Sequence, residues 1–312
     1  MPTPRKFPVK SVRGLWLGHR MRELREQLGL TQRDVAAYLD CDHGTLARYE
    51  RCEWPFRPDL VTALLNAYGV YDERLRAELL DLARDSACLN ALRLDPAPVQ
   101  QSPFVNAAAQ QWPVGQAQIA PPPPLPWLYE QATEAAVYAP TAVPDLLRTR
   151  AYTLALAAHA DTPATAAHHQ AETLAHRQQQ TVDAMLPVTA VIDANVLHRP
   201  IGGTVVLAAQ LDHLRDLTGR DDSKVVIRIL ATDRDFHPGS GAFTVLRFGF
   251  GFPPVALVEH LGGHLLLEGP WATRYVTTIN QLTETALTPP ASHIAIVDRA
   301  KELANQTATT TE

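Results

Sequence analysis

Long apolar runs are missing from this sequence. No uncharged hydrophobic stretch in its 312 residues approaches the roughly 18 that a bilayer-spanning helix needs. The charged N-terminus is followed by no apolar segment of the kind a secretory leader carries, so membrane insertion and secretion are not expected and the cytoplasm is. Cysteine is scarce: Cys41, Cys52 and Cys88 form an odd set without metal-ligand spacing, which reads as reduced thiols in a reducing compartment. A phosphate loop, a nucleophile elbow and a zinc-hydrolase signature are all absent, and Asp193, Glu259 and Glu268 are carboxylates without a legible partner. Catalysis is therefore not expected. Histidine is plentiful: His168-His169 lie near His176, with helical spacing that can put His169 and His176 on similar faces, and His260 lies near His264, a pair without a third convergent ligand. These read as surface or satisfied histidines, with no metal and no cofactor.

The net charge of −5 with 20% charged residues excludes a basic nucleic-acid coat and an acidic tail protein. The average hides an asymmetry: Arg5, Lys6, Lys10, Arg13, Arg20, Arg22, Arg25 and Arg33 face only Glu23 and Glu26 over the first 33 positions. That local positive field attracts phosphate.

The length suits about two domains, and three shifts in composition divide it. Residues 1–92 form the first domain, whose residues 17–92 carry helical periodicity in short blocks broken at Gly29, at Asp42-His43-Gly44, at Trp54 to Pro58 and at Gly69, which predicts four or five short helices. Residues 93–126 turn to Pro, Gln and Ala, including Pro121 to Pro124, and read as a semi-rigid linker. From 127 to 304 helical patterns at Leu146–Ala158 and Ala164–Met185 give way to strand-like runs at Val188–Ile192, Lys224–Leu230, Ala242–Phe250, Val255–His260 and His264–Leu267, with helices at Gly203–Leu217, Ala272–Leu287 and Ala291–Leu303. Residues 305–312 are Thr-rich and read as a disordered tail. The fold class expected is a multidomain chain: an all-α N-terminal domain and a mixed α/β C-terminal domain.

Leu17 to Leu28 predicts an amphipathic helix stopped by Gly29, and Thr31 stands ready to cap a second helix bearing Val35, Ala36 and Leu39 on one face. After the turn at Asp40 to Asp42, Asp42 can cap a third helix whose Leu46 and Tyr49 face inward. His43, Thr45, Arg48 and Arg51 are left on other faces. A short exposed helix of this kind enters the major groove by its N-terminal end. Arg48 suits direct readout, because a guanidinium can bond guanine O6 and N7 together, worth roughly 1–3 kcal/mol of discrimination.

Gly29-Leu30-Thr31-Gln32 with Val35-Ala36, followed by Leu46 to Glu50, resembles the XRE class of lambda-repressor-like helix-turn-helix regulators over about residues 15–70. The resemblance implies that Gln32 bonds a phosphate, that His43, Gly44 and Arg48 meet bases, that Arg51 and Arg57 hold the backbone beyond, and that Arg25 and Glu50 form a structural ion pair. Gln is common in that class at position 43 and Gly at position 52, where this chain has His43 and Cys52.

The C-terminal part is similar to the domain of unknown function that accompanies such readers in actinobacterial WhiJ-like regulators. The similarity rests on Val143-Pro144-Asp145-Leu146-Leu147-Arg148-Thr149-Arg150-Ala151-Tyr152, then His176-Arg177-Gln178, Asp193 to Arg199 with Gly202-Gly203, Gln210 to Leu214, and Gly241-Ala242-Phe243. It implies a module that senses a ligand or partner. The expectation is a sequence-specific transcription regulator that binds double-stranded DNA as a homodimer, with recognition at 43–51. The alternative is an antitoxin-like protein that neutralises a small protein encoded nearby and autoregulates.

Overall fold

The computed structural model describes residues 10–94, 122–160, 162–183, 185–220, 224–234, 241–260 and 263–309. The chain packs as two compact units. The first comprises the described residues of Met1–Pro124 with the short segments Gly249–Val255 and Leu267–Thr273. The second comprises those of Leu125–Phe248, Ala256–Leu266 and Arg274–Glu312.

The first unit is built on helices α1 (Val12–Gln27), α2 (Gln32–Tyr38), α3 (His43–Glu50), α4 (Pro58–Ala67) and α5 (Glu73–Leu94). Each boundary has a chemical cause. The Ser11 hydroxyl accepts from Gly14 N to start α1, and Gly29, at φ 69°, ends it with the Leu30 amide bonded back to Arg25 O. Thr31 and Asp34 form a reciprocal capping box on α2, Asp42 caps α3 through Gly44 N, and Pro58 opens α4, where a missing N–H costs nothing. Leu17, Met21, Val35, Leu46, Phe56, Leu64 and Leu79 form the buried core among these helices. In the same unit Glu268 is not the isolated carboxylate its sequence context suggests. It is 1% exposed and accepts from the Val12 amide and from Arg13 Nη1 at 2.9 Å, while Arg13 Nε lies 3.7 Å from Asp85.

In the second unit, save for the end residues Val255 and Leu267, six described strands, β1 (Ala132–Ala139), β2 (Val188–Asp193), β3 (Val225–Leu230), β4 (Phe243–Phe248), β5 (Val255–His260) and β6 (Gly263–Leu267), form one sheet in the order β3-β2-β1-β4-β5-β6. β1 pairs parallel with β2 and β2 parallel with β3, whereas β1 and β4 are antiparallel, so the sheet is mixed. The helices are α6 (Leu125–Gln131), α7 (Arg150–His159), α8 (Ala164–Asp183), α9 (Thr204–Thr218), α10 (Pro270–Thr285) and α11 (Pro289–Thr309). Alternation along β2 separates two cores: Ala190 and Ile192 join Leu207, Leu211 and Ile296 on one face, while Val191 joins Phe243, Ile279 and Leu282 on the other. Strands buried on both faces are rich in β-branched residues, which is why β2 and β3 were legible as apolar runs.

Several segments differ from the sequence reading. β1 was not anticipated: Ala-rich 132–139 carries little strand preference, and its state is set by pairing with β2 and β4 on both sides. Helix α11 continues to Thr309, through positions assigned above to a tail, because Leu303, 2% exposed, anchors the turns from which it propagates. Helix α5 reaches Leu94 and α6 begins at Leu125, and the Pro-rich residues 95–121 between them lie outside the described residues. So do Leu261-Gly262 of the turn before Gly263, and Pro238-Gly239-Ser240.

Three of the sequence motifs in this unit meet around one 3-10 turn, Asp145–Leu147. The buried Gln210 donates to Leu147 O at 2.8 Å and accepts from Thr149 N at 2.7 Å. Gln178 donates to Asp145 O and Arg148 O, Arg177 pairs with Asp145, and the Tyr152 hydroxyl accepts from Val143 N. Asp193 caps the turn Ala194–His198 through Asn195 N.

Candidate nucleic-acid interface

The helix-turn-helix is held by a charged joint. Arg25 on α1 and Glu50 on α3, 5% and 7% exposed, meet in a fork: Arg25 Nε to Glu50 Oε1 at 2.7 Å and Nη2 to Oε2 at 3.1 Å. Arg25 Nη1 also donates to Leu30 O at 2.8 Å, so one guanidinium ties α1 to α3 and to the turn before α2. The Glu50 hydrogen bond raises the Arg25 pKa further above its already high ordinary value. Gln32, first residue of α2, donates its side-chain amide to Glu50 Oε2 at 2.8 Å. One of its two amide protons stays available to a third group.

The same contact is made close by glycine. An added Cβ on Gly18 would lie 2.3 Å from Glu50 O and 3.3 Å from Tyr49 O, so α1 can approach the C-terminal end of α3 only without a side chain there. Just past α3, Cys52 sits at φ 53°, the left-handed conformation that glycine adopts more cheaply.

Held this way, α3 buries Leu46 and Ala47 and exposes His43 and Arg48, with Gly44 and Thr45 half-buried. The Arg48 guanidinium lies over the Trp54 ring, 5.0 Å from its centroid, and Tyr49 stacks on Phe56 beneath. His43 sits 3.2 Å from Asp42, Arg51 pairs with Glu53 at 2.8 Å, and Arg57 pairs with Asp59 at 3.0 Å. All three pairs are solvent-exposed, so each is weak enough to yield to a competing phosphate.

The structure therefore brings Gln32, Arg25, Glu50 and α3 together through direct bonds, and places Arg51 and Arg57 beyond the end of α3. The sequence reading counted Arg22 and Arg33 in the basic N-terminal field but did not single them out as site residues. They line, with Thr31, Gln32 and His43, an open concavity of about 620 Å³ beside the helix-turn-helix. The basic tilt of the first 33 residues was the available signal. It also missed Trp54, whose position beyond α3 falls outside any helical spacing, and Gly18, whose place inside a helix was the available hint.

Among the described residues no helix is long and apolar enough to cross a membrane. No curated protein and no solved structure matches the chain. Residues 16–79 match a helix-turn-helix domain family, which accords with DNA binding. Residues 125–298, more than half of the chain, match a domain of unknown function, DUF5753. The chain thus belongs to the DUF5753 family, with a helix-turn-helix domain N-terminal to the family's own domain.

Proposed function

We propose that this chain is a sequence-specific transcription regulator of the XRE class, working on the chromosome in the cytoplasm, with α3 lying in the major groove. The supporting observation is the joint itself: a buried Arg25–Glu50 fork holds α3 by its inner face while His43 and Arg48 stay exposed on its outer one. Arg48 reads a guanine edge, its approach limited to few rotamers by Trp54. His43, Gly44 and Thr45 lie along the groove floor. Arg51, Arg57 and the second amide proton of Gln32 contact phosphates. An eight-residue helix is about 12 Å long, enough for one half-site, so a homodimer spanning two half-sites about one DNA turn apart completes the reading. The C-terminal domain acts as the effector module, changing operator occupancy when it binds a small ligand or partner.

The test compares operator fragments selected from genomic DNA with random duplex. Arg48→Ala should lower affinity for the selected fragments by about 1–3 kcal/mol and leave random-duplex affinity nearly unchanged. Equal losses on both would move Arg48 to the phosphate contacts.

A further inference from the structure

The second unit holds an open cleft of about 380 Å³, within the size range of small-molecule sites, between one face of α8 and the strands β5 and β6. The face is regular: His169, Thr173 and Arg177 recur at four-residue spacing, so they stack along one side of the helix. At the bottom, the Arg177 side chain is 11% exposed, lies over the buried Tyr129 ring at 5.4 Å and pairs with Asp145. A guanidinium offers five N–H donors. Among the described residues Arg177 has one bond, through Nη2 to Asp145, and its Nε is buried without a partner.

Arg148, at the same cleft, spends its Nε on Val143 O at 2.6 Å and has no carboxylate partner among the described residues. At the same cleft, Glu259 on β5 is exposed and forms no ion pair among the described residues. The two guanidiniums and two carboxylates of the lining cancel in formal charge, and one carboxylate is already engaged. A dianionic phosphate would leave net negative charge in such a cleft. A molecule with a single carboxylate and a separate cationic group balances it, the carboxylate taken by Arg148 and Arg177 and the cation by Glu259.

We propose that this cleft is a binding site for a small zwitterion of the amino-acid class. The inference deepens the effector role proposed above, and the binding itself stands apart from DNA recognition. The experiment uses the full-length chain without DNA, titrated by calorimetry and thermal melting with a pool of the standard amino acids at millimolar concentration. Acetate, inorganic phosphate and putrescine form separate arms. The expected result is saturable binding and a raised melting temperature with the pool, resolved afterwards to individual members, and little effect from the three single-charge-type probes. Arg148→Gln and Glu259→Gln, the latter an exposed change that leaves the fold intact, should each weaken that binding about tenfold. No response to the pool, a stronger response to phosphate than to the pool, or undiminished binding by both variants overturns the proposal. If binding holds but leaves operator affinity unaltered, the site stands and the effector reading falls.

Discussion

Glu50→Gln keeps the shape of the side chain and removes its charge, at a position where the carboxylate accepts three bonds: two from Arg25, at 2.7 and 3.1 Å, and one from Gln32 at 2.8 Å. Because both ions are almost fully buried, the loss is not that of a surface pair. The Arg25 guanidinium is left charged, dehydrated and facing an amide that can accept from it at one oxygen. Breaking a buried pair by removing one partner costs about 3–5 kcal/mol, and the retained oxygen places this variant near about 3 kcal/mol. A helical unit of this size has a total stability of the same order as a small domain, roughly 4–11 kcal/mol, so it should remain folded while α3 opens more often. At 1.36 kcal/mol per decade, α3 amides should exchange with solvent roughly a hundred times faster, measurable by mass spectrometry on the full chain. Replacing both partners, as Arg25→Met with Glu50→Leu, should restore most of the protection, since no unpaired charge remains. If Glu50→Gln exchanges like the parent, the joint does not hold α3 and the reasoning fails.

Gly18→Ala should destabilise the N-terminal unit by about 1–3 kcal/mol by urea denaturation, since the new methyl would sit 2.3 Å from Glu50 O and force α1 away from α3; an unchanged midpoint would refute the close contact. Tyr68→Phe should be neutral or stabilising by up to about 1 kcal/mol, because the Tyr68 hydroxyl is buried without a hydrogen-bond partner; a loss larger than that would reveal a partner. Burial raises the Cys52 thiol from its ordinary 9.0 to about 11, so the folded state prefers the neutral form. The stability from that preference is intact below pH 9.0 and declines as pH rises toward about 11, where the unfolded chain ionises first. Peptide-resolved alkylation at about pH 8 should therefore label Cys41 before Cys52, and the reverse order would contradict the assigned burial.

The helix-turn-helix was legible because its signals are local. Thr31, Asp42 and Gly29 act on their own backbone neighbourhood, so the caps and the stop could be read without any long-range contact. The joint was less legible: Arg25 and Glu50 are 25 positions apart, and their meeting was implied by resemblance to related readers rather than by spacing. Nothing local marks Ala132–Ala139 as a central strand, since alanine is as content in a helix and the decision comes from strands that lie more than 50 and 100 positions further on. The charged cleft was invisible for the same reason. Asp145, Arg177 and Glu259 come from a 3-10 turn, a helix and a strand, and only the folded sheet gathers them.

Hydrogen exchange of the full chain, with and without a selected duplex at low ionic strength, tests most directly whether α3 is the DNA-reading element. New protection should concentrate on residues 43–51, with a weaker effect near Gln32 and Arg57. Protection that leaves 43–51 untouched, or no duplex-dependent protection anywhere in the N-terminal unit, would contradict the account.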